Sequence, residues 1–126
     1  MNATQGSFPH TEIFPHERRR YPRVRVVLQA ELRVEGNDVP THVQTTDISF
    51  GGCYVELAVT FDLGTRLDLV LWLGEVKAVA KGVVVTRHPQ FGNGVEFVEM
   101  SAEHQARLSA FLQSGAGCQK AYASAL

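Results

Sequence analysis

The chain has 126 residues, 44% of them apolar, and a formal net charge of −1, which suits one domain around one core. No run approaches the roughly 18 uninterrupted apolar residues of a membrane span, and Met1 to His16 lacks the basic start and apolar run of a secretory signal. A cytoplasmic protein with no membrane span is therefore expected.

The small net charge hides an asymmetry. Residues 1–25 carry Arg18, Arg19, Arg20, Arg23 and Arg25 against Glu12 and Glu17, whereas the remainder of the chain is net acidic. Positive charge focused at one point suits a small anion or a local acidic contact. A nucleic-acid groove spreads Lys and Arg over a face, so no nucleic-acid partner is expected.

Residues 1–16 are rich in Asn, Thr, Gln, Gly, Ser, Pro and His and read as a flexible leader. From Val24 to Val34 apolar residues fall at every second position, the period of a strand with one face inward. A turn at Glu35–Asp38 leads to a second strand over about 41–46. The tight Ser49-Phe50-Gly51-Gly52 segment precedes a third strand, with Cys53, Val55 and Leu57 facing one way. After Phe61–Gly64, Leu67, Leu69, Leu71 and Leu73 form the inward set of a fourth strand. Gly74-Glu75 turns into a fifth, Val76 to Arg87, in which Gly82 marks a bulge or bend. Pro89 to Asn93 turns into a last short strand, Gly94 to Met100.

Close-spaced short strands separated by turn signals predict an all-β barrel or sandwich. The end of the chain differs. Ser101 is placed to cap a helix, with Glu103 in its first turn. Leu108, Phe111 and Leu112 make one apolar stripe, and Gly115 supplies the stop. The helix is expected to pack on the barrel, and residues 115–126 read as a flexible tail.

Two segments carry possible chemistry. Arg18-Arg19-Arg20-Tyr21-Pro22-Arg23 offers several guanidinium forks, which match phosphate oxygens and the O6/N7 edge of guanine and stack on bases. The same run also reads as a solvated basic linker. Asp47-Ile48-Ser49-Phe50-Gly51-Gly52 places a carboxylate and a hydroxyl two residues apart, on one face of a strand. Asp accepts from the N1/N2 edge of guanine, Ser donates to oxygen, and Gly permits close approach. The same segment also reads as a plain Asx or Ser turn.

Taken together, the two segments resemble the PilZ domain family, which pairs an Arg-Arg-x-x-x-Arg linker with a downstream Asp/Asn-x-Ser-x-x-Gly strand end. Arg18, Arg19 and Arg23 match the first half, and Asp47, Ser49 and Gly52 the second, with no departure at these positions. Gly94-Val95-Glu96-Phe97 is similar to the family's last strand. The resemblance covers Glu17 to Gln113. It implies an all-β fold, a six-stranded antiparallel PilZ-type β-barrel with one C-terminal α-helix. It divides the chain into a leader (1–16), a PilZ domain (17–114: linker 17–23, barrel 24–100, helix 101–114) and a tail (115–126).

The resemblance further implies a non-enzymatic receptor for the bacterial second messenger cyclic di-GMP, which changes conformation on binding and signals to a partner protein. A PilZ-like interaction adaptor that does not use the nucleotide is the alternative. By analogy, Arg19 and Arg23 hold phosphates and guanine edges, Asp47 and Ser49 read a guanine, and Gly52 leaves room for the ring. The basic residue at Arg18 implies an intercalated ligand dimer; Arg20 is assigned to solvent.

Nothing else in the chain suggests catalysis or a cofactor. Histidines 10, 16, 42, 88 and 104 show no metal-ligand spacing, and no nucleophile elbow, P-loop or dinucleotide fingerprint occurs. The two cysteines, Cys53 and Cys118, form no Cys-x-x-Cys pair; Cys53 is expected to be buried and Cys118 free. His104 is expected to be exposed, and Trp72 and Phe91 to serve barrel packing or plug a loop.

Overall fold

The computed structural model describes residues 11–12 and 21–114. Among the described residues eight strands and one helix follow in order: β1 (Thr11–Glu12), β2 (Val24–Arg25), β3 (Gln29–Val34), β4 (Thr41–Ser49), β5 (Gly52–Glu56), β6 (Arg66–Leu73), β7 (Val76–His88), β8 (Gly92–Ser101) and α1 (Ala102–Gln113). All pairings are antiparallel. The order β8-β5-β4-β3-β6-β7 returns on itself through a β7–β8 pairing, so six strands close into a barrel. Within the leader, Thr11–Glu12 pairs with Ser101 and Met100 at the end of β8, a strand the sequence pattern does not suggest.

Period-two patterning fills the interior. Leu67, Leu69, Leu71 and Leu73 of β6 all point inward and are buried, as are Ala30, Leu32, Val55, Val84 and Phe97 from the other strands. Each fully buried aliphatic or aromatic side chain contributes about 1.5–3 kcal/mol. Gly82 sits at a register break between β7 and β8, the expected bulge; a β-carbon there would crowd Val95 and Leu69.

Four expectations are corrected. The single strand over 24–34 is broken at 26–28, because the buried Thr45 side chain inserts into the ladder. Its hydroxyl donates to Val26 O (2.7 Å) and accepts from Leu28 N (2.9 Å), and the β4–β5 register shifts between Thr45 and Asp47. The last strand begins at Gly92, not Gly94, because fully buried Asn93 belongs to the wall. Its amide accepts from Phe61 N (2.8 Å) and donates to Phe61 O (3.0 Å) and Thr86 O (3.1 Å), tying down the β5–β6 loop. Trp72 and Phe91 are exposed, at 42% and 72% of their surface, rather than packed; Lys77 Nζ lies 5.5 Å from the centre of the Trp72 ring. His104 is half-buried rather than exposed, since its Nδ1 accepts from Val79 N (2.8 Å) and pins α1 to β7.

The helix starts as its sequence signals require. The Ser101 hydroxyl accepts from His104 N, and Glu103 lies in the first turn, a cap worth about 1 kcal/mol. Leu108 is fully buried, with Phe111 and Leu112 packed beside the core. The helix ends at Gln113 with Ser114 as its cap. Gly115, the expected stop, lies outside the described residues, as does Cys118. Among the described residues no helix is long and apolar enough to cross a membrane.

Candidate functional site

The β4–β5 hairpin organises one groove on the outer wall of the barrel. Ser49 pairs with Gly52 across a two-residue Phe50-Gly51 loop. The Ser49 hydroxyl accepts from Gly51 N (3.1 Å) and lies 3.4 Å from Gly52 O, to which it donates. Ser49 is therefore buried and serves as the internal brace of the hairpin, so the Ser-turn reading of this segment is realised. Gly52 is demanded by the wall itself: a β-carbon there would run into the Val95 carbonyl oxygen on β8.

The linker docks onto the same hairpin. Tyr21 packs against Phe50, with ring centroids 5.5 Å apart and a 57° tilt, and lies over Gly51, where a β-carbon would come within 2.8 Å of its ring. Val24 and Arg25 then pair with Ile48 and Asp47. Held on both sides, Arg23 reaches out over the end of β4, and its Nη1 stands 3.8 Å from Asp47 Oδ1. The Arg23 side chain is 64% exposed and that of Asp47 20%, so a largely shielded acceptor lies beneath an exposed cation.

Arg23, Asp47, Ser49 and Gly52 line one groove, together with Tyr54 and Gly94. The structure thus brings together four of the six residues singled out from the sequence. Arg18 and Arg19, with Arg20, lie outside the described residues. Tyr54 is not singled out by sequence reasoning; the available signal was its position on the outward face of β5, directly opposite Asp47. Negative charge and burial act on the neighbours of the carboxylate. Burial, followed by the Asp47 charge, pushes the Cys53 thiol up to about 12. Burial, then Asp47 and Glu56, raises the Tyr54 phenol. Among the described residues no cluster of His, Cys, Asp and Glu is arranged to hold a metal ion.

A closed six-stranded antiparallel barrel, a C-terminal helix and an outer-wall groove under an N-terminal linker define a small β-barrel domain of PilZ architecture. The chain belongs to the PilZ domain family, whose model matches residues 17–114. Its fold is similar to that of MotI/DgrA, the Inhibitor of motility from Bacillus subtilis, at a TM-score of 0.61 and 26% identity; the match covers 77% of this chain and 53% of that one. This chain thus spans about half the length of that relative. The PilZ domain of YcgR from Escherichia coli, solved with c-di-GMP, superposes with a TM-score of 0.62 at 14% identity, covering 86% and 98% of the two chains. The PilZ domain of CeSA from a cellulose-synthesizing bacterium gives 0.59 at 12% identity, covering 71% and 92%. Among curated proteins no sequence match is found.

Proposed function

We propose that this protein is a cytoplasmic receptor for cyclic di-GMP that changes conformation on binding and passes the signal to an effector protein. The observation that carries the reading is the convergence of Arg23, Asp47, Ser49 and Gly52 on one groove of a PilZ barrel. Arg23 supplies a fork for phosphate or for the O6/N7 edge of guanine, while Asp47 accepts from N1 and N2. Ser49 acts chiefly by holding the hairpin. Gly52 lets β5 and β8 approach and keeps the groove floor flat. Arg18 and Arg19 bring further positive charge on the linker, and Arg18 favours an intercalated ligand dimer. The c-di-GMP carried by the YcgR domain, and the inhibitor role in the name of MotI, support a ligand-dependent signalling role of this type.

Isothermal titration with cyclic di-GMP, using GTP and cyclic di-AMP as controls, tests the reading. Selective binding at micromolar concentration or tighter is expected, with two ligands per chain. A stoichiometry of one removes the dimer. An absence of binding overturns the receptor reading in favour of a nucleotide-independent adaptor.

A further inference from the structure

Tyr54 faces Asp47 across the β4–β5 ladder and Gly94 across the β5–β8 ladder. Its ring lies over β8 where the outer face of that strand, at Gly92 and Gly94, has no side chains. A β-carbon at Gly92 would come within 2.8 Å of Cε2, and one at Gly94 within 3.8 Å of Cδ1. The phenol oxygen is 2.8 Å from His88 Nδ1, and the two rings are 5.8 Å apart with a 44° tilt. The ring is therefore supported from beneath by bare backbone and fixed at its far end by a hydrogen bond. It also forms one wall of the groove that holds Arg23 and Asp47.

This arrangement has a chemical use. A flat heteroaromatic base needs a π-face to stack on and polar groups at its edge. Here a pre-positioned aromatic ring adjoins a carboxylate that accepts from a guanine edge and a guanidinium that neutralises phosphate. Gly92 is also demanded by the wall, since a β-carbon there would meet the Val55 carbonyl oxygen; the observation that bears on the ring is the bare outer backbone beneath it together with the His88 nitrogen at its hydroxyl.

We infer that Tyr54 is the base-stacking residue of the groove, taking one face of a guanine whose edge Asp47 reads, with His88, Gly92 and Gly94 as its positioning residues. The inference rests on the cyclic di-GMP reading above and adds a stacking surface to it.

Titrations of the parent, Tyr54→Phe, Tyr54→Leu and His88→Ala proteins with cyclic di-GMP test it, alongside a thermal midpoint for each. Tyr54→Phe keeps the ring and is expected to bind within about threefold of the parent. Tyr54→Leu keeps apolar bulk but no π-face and is expected to bind roughly ten- to a hundredfold more weakly, at an unchanged midpoint. His88→Ala removes the same hydrogen bond as Tyr54→Phe from the other side and is expected to bind, like it, within about threefold of the parent. If the parent binds and Tyr54→Leu binds equally well, the stacking role is overturned while the receptor reading stands. Equal losses in the Phe and Leu variants, or a loss that only follows the thermal midpoint, overturn it as well. A parent that does not bind removes the receptor reading and the stacking role together.

Discussion

The guanidinium of Arg23 stands 3.8 Å from the carboxylate of Asp47, close enough to attract it and too far to form a tight hydrogen-bonded pair. Residues 24 and 25 are clamped to β4, and Tyr21 is seated on the hairpin loop. The pair is thus held apart at a fixed reach, with both partners retaining capacity for a third group placed between them.

Removing either partner should therefore affect ligand and fold very differently. Arg23→Ala and Asp47→Asn are each expected to weaken cyclic di-GMP binding by roughly 1.5–3 kcal/mol, the worth of a charged hydrogen bond. The stability change should be below about 1 kcal/mol, because at 3.8 Å with one partner in solvent the ion pair contributes little. Parallel calorimetric and urea titrations check both; unchanged affinity in either variant would remove that residue from the ligand's contacts.

Gly52→Ala is expected to cost at least about 2 kcal/mol of folding stability, since its β-carbon meets backbone that cannot move without opening the β5–β8 ladder. A denaturation midpoint equal to that of the parent would show that the wall has slack there.

Asn93 tests the other end of the barrel. Asn93→Leu leaves Phe61 N, Phe61 O and Thr86 O without the partner they have now. Burying such groups unpaired costs about 1–3 kcal/mol each, so a loss of about 3 kcal/mol in urea denaturation is expected. The effect should be concentrated in the 57–65 loop, read as faster amide exchange at Phe61.

Cys53 predicts an alkaline dependence. Burial, followed by the Asp47 charge, pushes its thiol up to about 12 in the folded chain, from 9.0 for an unperturbed cysteine. The folded state thus favours the protonated form, and the stability this contributes is fully present below pH 9. As pH rises from 9 toward 12, unfolding releases a proton and stability falls by about 1.4 kcal/mol per pH unit. In a Cys118→Ser background, a thiol reagent at pH 8 should fail to label Cys53 until denaturant is added. Prompt labelling of the folded protein would contradict its burial.

Much of the barrel was legible because burial follows sequence at every second residue. Spacing places the inward leucines of β6, and a glycine inside a strand pattern places the bulge or bend at Gly82. The break at 26–28 could not, because it depends on the Thr45 hydroxyl displacing a backbone partner across two strands. Asn93 misled for a related reason: a turn-forming residue by propensity is here a buried hydrogen-bonding hub. In the groove, Asp47 and Ser49 were found by type and spacing, but their division of labour was not. Only the folded hairpin shows Ser49 turned inward on its own loop and Gly52 pressed against Val95. Tyr54 carries no signal of its own in the sequence, because aromatic residues are ordinary on strands. Its position beside Asp47 is a fact of register.

Closure of the ring bears on how long the groove wall lasts. Each ring strand has a neighbour on both sides, and at Cys53 these are β4 and β8, so its amide meets solvent only when the wall opens there. Its hydrogen exchange should approach the rate set by global unfolding. The wall then persists as long as the protein does, and under the receptor reading proposed above any response to ligand falls to the pieces laid upon the ring, the linker and the helix.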